Sequence, residues 1–239
     1  GYLTEQLCGV FSGRYQEMRR QRIRVTLESR KLPVLALNEV FVGEKDISHS
    51  SYYEISHDGS PSERQKSSGL LVYTGSGSTS WFVVPLPLFD VHLPCSGSTS
   101  LAYNMNRVSS ETVQKLLHIA GEIASLPAEL SQPQLAQNVS EVFNYSNVFG
   151  GEEQTMAFTV REPIIRGIFA VGRTHGFAKT VKVVSRSWNA NLVVDGHYCT
   201  DFPNGSTALL ELQDSDSLRT LTSSSPDSSP RLHQHSPHS

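Results

Sequence analysis

Cysteine is scarce in this 239-residue sequence: Cys8, Cys95 and Cys199 are the only three. The count is odd and no C-x-x-C pair occurs. That excludes a zinc ribbon or a disulfide framework and points to a reducing interior. An excess of charge of one sign is also lacking, with a formal net charge of −3. Such a balance offers no electrostatic attraction to nucleic acid or an anionic membrane, so neither is expected as a partner. A long hydrophobic run is missing as well. The longest, Trp81–Pro94, is broken by prolines, Asp90 and His92, and it is too short to span a bilayer. Neither a G-x-G-x-x-G fingerprint nor a GxxxxGK[ST] phosphate loop is present. The first residue is Gly rather than Met, with no signal or transit pattern after it. The chain therefore reads as the downstream piece of a longer product, or as one processed before Gly1.

Apolar residues make up 38% of the chain, enough for one good core with appendages. Residues 1–21 read as an amphipathic lead-in with basic residues at Arg14 and from Arg19 to Arg24. Strand patterns follow. Arg22–Glu28 alternates with period two, Pro33–Val42 is a longer apolar strand, and Ser51–Ser56 is rich in aromatics. Asp58-Gly59 is a turn signal, and Gly69–Thr74 is a strand running into a Gly/Ser loop. Helical spacing of Val113, Leu116, Leu117 and Ala120 predicts a helix over Glu111–Ile123, capped by Ser110, and a second helix is expected over Gln134–Phe143. Strands return at Met156–Val160, Thr180–Ser185, Asn191–Asp195 and Thr207–Leu212. The expected fold class is mainly β (α+β), with residues 22–214 as one β-rich domain. From residue 215 onward apolar mass is too thin to offset ordering entropy, and a disordered tail is expected to residue 239. Three histidines near the end, His233, His235 and His238, read as part of that tail rather than as a metal site.

Two constellations carry chemistry. In the loop Thr74–Trp81, Gly75 and Gly77 permit turns closed to residues with a Cβ, and successive amides in such a turn can converge on one anion. Hydroxyls of Thr74, Ser76, Ser78, Thr79 and Ser80 donate or accept, and Trp81 offers a stacking face. These suit a ribose and a phosphate, although a flexible Gly/Ser connection reads the same way. The second constellation is Asn38-Glu39, an amide and a carboxylate interrupting an apolar strand. Side by side they can fix a diol, or they can be an edge-strand or turn pair. Asp195-Gly196 is weaker, since Asp-Gly is a common hairpin turn.

Taken together and in order, ALNEVFVGE, SYYEIS and SSGLLVYTGSGSTSW resemble the NAD kinase family. That family carries an NE/D motif on a strand followed by a G-L-x-x-x-T-x-T-G-S-type loop. The match is similar to the mitochondrial type through RRQRIRVTLE, QKSSGL, MNRV, FTVREPI, VVSRSW and VVDG, covering most of Phe11–Arg219. The resemblance implies an NAD-binding, β-rich C-terminal domain whose α/β partner domain lies upstream. Asn38 and Glu39 would bind the dinucleotide, including its ribose. Thr74, Gly75, Ser76, Gly77, Ser78 and the rest of the loop to Ser80 would contact the adenosine portion, with Trp81 standing where many members have Tyr. The implied reaction is Mg²⁺-assisted phosphoryl transfer from ATP to the adenosine ribose 2′-hydroxyl of NAD. A homo-oligomer, in the simplest case a dimer, and a mitochondrial location are implied in the same way.

Three departures qualify the resemblance. The family's GGDG loop, whose Asp is taken as the general base, is absent, so no catalytic residue and no metal ligand is assigned and the chain alone is expected to be inactive. Ser68 stands where many bacterial members have Asp. Trp81–Ser100 has no family counterpart. SGSTS occurs at Ser76–Ser80 and again at Ser96–Ser100, the mark of a splice or gene-model variant. Two other readings stay open: a non-catalytic nucleotide-binding or oligomerisation fragment, and a C-terminal domain like those of diacylglycerol and sphingosine kinases.

Overall fold

The computed structural model describes residues 2–13, 15–46, 48–79, 110–124, 133–146, 148–164 and 172–223. Two compact units emerge, one from the two ends of the chain and one from Arg20–Leu218. The first holds helix α1 (Tyr2–Phe11) and the strands β1 (Tyr15–Arg20) and β14 (Leu218–Ser223), which form a two-stranded sheet. Within it Arg219 pairs with Glu17 at 2.5 Å, and Thr220 Oγ1 donates to the Met18 carbonyl.

The second unit is built on two antiparallel sheets. One has the order β3-β2-β13-β10-β5-β6, from β2 (Ile23–Leu27), β3 (Arg30–Ala36), β5 (Ser51–His57), β6 (Glu63–Ser67), β10 (Thr180–Ser185) and β13 (Thr207–Leu212). The other has the order β12-β11-β4-β7-β8-β9, from β4 (Glu39–Glu44), β7 (Gly69–Tyr73), β8 (Met156–Arg161), β9 (His175–Ala178), β11 (Ala190–Val194) and β12 (Tyr198–Asp201). Period-two alternation aims Ile23, Val25, Val181, Val183, Ala208 and Leu210 of the first sheet, and Val40, Val42, Leu70, Val72, Leu192 and Val194 of the second, into one shared core. Strand β7 is buried along its whole length. Its other face, Leu71 and Tyr73, packs with Ala157, Phe41 and Phe149 in a second cluster. Helices α2 (Ser110–Ala124) and α3 (Pro133–Ser146) lie against each other. No helix among the described residues is long and apolar enough to cross a membrane.

Mainly β architecture with two helices between β7 and β8 matches the sequence reading. Four details differ from the sequence reading. Pro33–Val42 is not one strand: the chain leaves the first sheet at Ala36 and enters the second at Glu39, so β3 and β4 pair with different neighbours. Strand β6 has no counterpart in the sequence reading because ERQKS shows no apolar alternation. Its inward residues, Gln65 and Ser67, are buried polar groups, and Ser67 Oγ shares a 2.9 Å hydrogen bond with the buried Tyr53 hydroxyl. The stretch 1–21, read as an amphipathic lead-in, carries α1 and β1. Strand β14 occupies Leu218–Ser223, inside the region expected to lack structure. The insert 81–100 and the histidines near the end fall outside the described residues.

Candidate functional site

The site forms where the chain crosses between sheets. Leu37 and Asn38 belong to neither strand, so their amides have no ladder partner of the ordinary kind. Asp195 supplies one. It opens the three-residue turn Asp195–His197 between β11 and β12, with φ 48° at Asp195 and 67° at Gly196, the paired left-handed geometry that favours Asp-Gly. Its Oδ2 accepts from Leu37 N at 2.8 Å, and its Oδ1 accepts from Asn38 N at 2.9 Å and Glu39 N at 3.0 Å. Three successive amides thus converge on one carboxylate.

The carbonyl side of the same crossing is held by Thr74. Its amide donates to Asn38 O at 2.9 Å and its hydroxyl donates to Leu37 O at 2.5 Å. Thr74 is fully buried, and it also organises the loop beyond it. Gly77 N donates to Thr74 Oγ1 at 3.3 Å, and Ser78 N donates to Thr74 O at 3.0 Å, winding a 3-10 turn over Gly77–Thr79. Ser78 Oγ donates to Gly75 O at 2.7 Å and accepts from Phe149 N at 3.4 Å.

The glycines of this loop are required for a different reason than their turn-forming freedom. Neither has a positive φ. A Cβ on Gly75 would lie 1.9 Å from the Gly150 carbonyl oxygen, and one on Gly77 would lie 2.3 Å from the Asn38 carbonyl oxygen. The loop is therefore wedged between the crossing and Phe149–Gly151. With the Gly77 and Ser78 amides turned inward, it is a packed support rather than an open cradle of amides. Ser76, half-buried, is the loop residue that reaches a cation: Arg20 donates to its Oγ at 3.2 Å.

Glu39 is the site's unusual charge. It is 9% exposed, and its Oε2 has no hydrogen-bond partner among the described residues. Burial, and after it the nearby Asp195 charge, pushes its carboxyl up from 4.5 to about 7, against an opposing pull from His197. A carboxyl that titrates near neutrality with a free oxygen suits hydroxyl donors of a sugar. The Asn38 side chain, next in sequence, is half-buried.

Asn38, Glu39, Thr74, Gly75, Ser76, Gly77 and Ser78 are thus in one place. Trp81 lies outside the described residues. Ser68 stands at the far end of β7 from the loop, where its hydroxyl donates to the Glu162 carboxylate. Sequence reasoning gives Asp195 too little weight, because a D-G turn after LVV is a common hairpin signal and says nothing of what the carboxylate binds. Arg20 and the Gly150-Gly151 pair carry no motif that ties them to the loop. Among the described residues no group of three or more His, Cys, Asp or Glu is gathered to hold a metal ion.

No family model matches the chain. Among curated proteins it is 38% identical to "NAD kinase 2, mitochondrial" of Rattus norvegicus over 190 residues, covering 80% of this chain and 40% of that protein. The Homo sapiens protein of the same name is likewise 38% identical over 190 residues, with 38% of its length covered. The chain spans about two-fifths of the length of these relatives. Among solved structures, a yeast NADH kinase complexed with NADH superposes with a TM-score of 0.53 at 13% identity, over 90% of this chain and 47% of that one. An NAD kinase from Archaeoglobus fulgidus in complex with ATP gives 0.52 at 16% identity, over 94% of this chain and 61% of that one. At such identities the structures establish likeness of fold.

Proposed function

We propose that this chain, similar to mitochondrial NAD kinase 2 over 80% of its length, carries the dinucleotide-holding part of an enzyme that phosphorylates NAD. The reaction is phosphoryl transfer from ATP to the adenosine ribose 2′-hydroxyl, giving NADP. In this reading Asn38 and Glu39 hold hydroxyls of the dinucleotide, and the loop Thr74–Ser78 braces them and lines the adenosine side. The observation that carries it is the buried Glu39 carboxyl, with Oε2 unpartnered among the described residues, next in sequence to Asn38 on a backbone fixed from both sides.

What these residues contribute is orientation rather than covalent chemistry. As a carboxylate, Glu39 accepts from two hydroxyls; Asn38 donates and accepts. ATP, bound when the enzyme turns over, supplies the phosphoryl group. No GGDG loop occurs in the 239 residues, so no general base for the 2′-hydroxyl is assigned. The chain by itself is expected to form no NADP from NAD and ATP. Robust ATP-dependent NADP formation by the purified chain would refute that part of the reading. A homo-oligomeric state and a mitochondrial location accompany the proposal by kinship alone.

A second reading is a non-catalytic dinucleotide-binding module, favoured by the absent base. Titration of NAD with the chain and with Asn38→Ala separates either reading from an inert scaffold. A lipid-kinase-like domain is disfavoured by the NE pair together with the Gly/Ser loop, and lipid phosphorylation would support it.

A further inference from the structure

We propose that Asp195 is a positioning residue of this site: by collecting the amides of Leu37, Asn38 and Glu39, its carboxylate fixes the direction in which the Asn38 and Glu39 side chains are presented. The inference rests on the dinucleotide reading above and deepens it. A β-strand presents successive side chains on opposite faces only while its ladder is intact. At Leu37 and Asn38 there is no ladder, because β3 has ended and β4 has not begun. Among the described residues, the groups that hold these amides are the two oxygens of Asp195. The link is returned, since Asp195 N donates to Glu39 O at 2.9 Å. Glu39 is therefore gripped by one residue at both its amide and its carbonyl.

Position alone is not the whole effect. Asp195 brings a negative charge to the buried Glu39 carboxyl, and His197, whose ring nitrogen meets the Asp195 carbonyl, brings the opposing influence. These are the charged groups that act on Glu39 among the described residues. Asp195 thus sets both the direction of Glu39 and the pH at which it becomes the double acceptor that a diol requires.

The molecule contains its own control. Asp58 occupies the other Asp-Gly turn, with φ 46° at Asp58 and 77° at Gly59. Its Oδ1 accepts from Lys179 N at 2.9 Å and Thr180 N at 2.8 Å. It is the same device in a place where neither Asn38 nor Glu39 is touched. If the Asp195 clamp were merely structural, the two turns would behave alike.

The experiment is NAD titration of the full chain and its Asp195→Ala, Asp195→Asn and Asp58→Ala variants, with thermal stability and the Glu39 carboxyl titration by ¹³C NMR recorded for each. The expected result is a loss of at least tenfold in NAD affinity for Asp195→Ala, against less than twofold for Asp58→Ala. Asp195→Asn keeps the Oδ1 acceptor and removes the charge, so its Glu39 midpoint moves to lower pH and its pH profile for NAD binding moves with it. Asp195→Asn also serves if Asp195→Ala fails to fold. Equal affinity in Asp195→Ala and wild type overturns the positioning role, as does an Asp195→Asn variant whose Glu39 midpoint and binding profile stay in place. A wild-type chain that does not bind NAD sinks instead the reading of the site, and with it the role assigned to Asp195.

Discussion

Asp195 and Glu39 are joined through the backbone in both directions: Glu39 N reaches Asp195 Oδ1 at 3.0 Å, and Asp195 N reaches Glu39 O at 2.9 Å. One residue belongs to a hairpin turn, and the other opens a neighbouring strand. The pairing brings two acidic groups together where burial already disfavours charge, and measurable consequences follow from it.

The first concerns pH. In the folded chain the Glu39 carboxyl keeps its proton up to about 7, whereas its ordinary value is 4.5. A proton held more tightly by the folded state stabilises it fully at pH below 4.5. That advantage is lost as pH rises through about 7. Its size is at most about 3–4 kcal/mol, since a tenfold difference in proton affinity corresponds to ~1.4 kcal/mol. Urea unfolding at pH 5 and pH 8 should therefore show a fall in stability for wild type that is absent in Glu39→Gln. The same fall in both proteins would remove Glu39 as its source.

Glycine substitutions test the packed loop. Gly75→Ala and Gly77→Ala place a methyl against backbone carbonyls at 1.9 and 2.3 Å, which no side-chain rotation relieves. Each should lower stability by roughly 1–3 kcal/mol or displace the loop, and should weaken NAD binding as well. Gly59→Ala meets nothing within 4 Å and bears only the strain of its φ of +77°. It should cost about 1 kcal/mol and leave NAD binding alone. Differential scanning fluorimetry with parallel titrations checks both.

Thr74 makes a third test. Thr74→Val keeps the shape and removes the hydroxyl that donates to Leu37 O and accepts from Gly77 N. Because Thr74 is fully buried, the abandoned carbonyl gains no water, and the expected loss is about 1–3 kcal/mol. Thr74→Ser retains the hydroxyl and should recover most of it. If Val and Ser variants unfold at the same denaturant concentration, the hydroxyl is not what holds the crossing.

Much of the fold is legible in the sequence because burial leaves a period. Thr180–Ser185 and Thr207–Leu212 alternate apolar and polar residues, and the strands read from that alternation coincide with β10 and β13. Strand β6 is not legible, since its buried positions are Gln65 and Ser67, which hydropathy cannot tell from solvent-facing ones. The break at Leu37-Asn38 is hidden because apolar stretches flank Asn38-Glu39 on both sides while the chain changes sheets. At the site, the sequence points to Asn38, Glu39 and the Gly/Ser loop but not to how they hold together. The decisive contacts run from residue 195 to residues 37–39, and from Gly75 to Gly150. Pairings at such separations depend on three-dimensional approach, and no local spacing records them.

The central claim is that Asn38 and Glu39, braced by Thr74 and Asp195, hold a dinucleotide. Isothermal titration of the purified 239-residue chain with NAD at pH 8, beside Asn38→Ala and Glu39→Ala, tests it most directly. The account predicts saturable one-site binding by wild type and at least a tenfold loss in each variant, with the fold retained by circular dichroism. Saturable binding that both variants leave unchanged, or no binding by a folded wild-type chain, would contradict it.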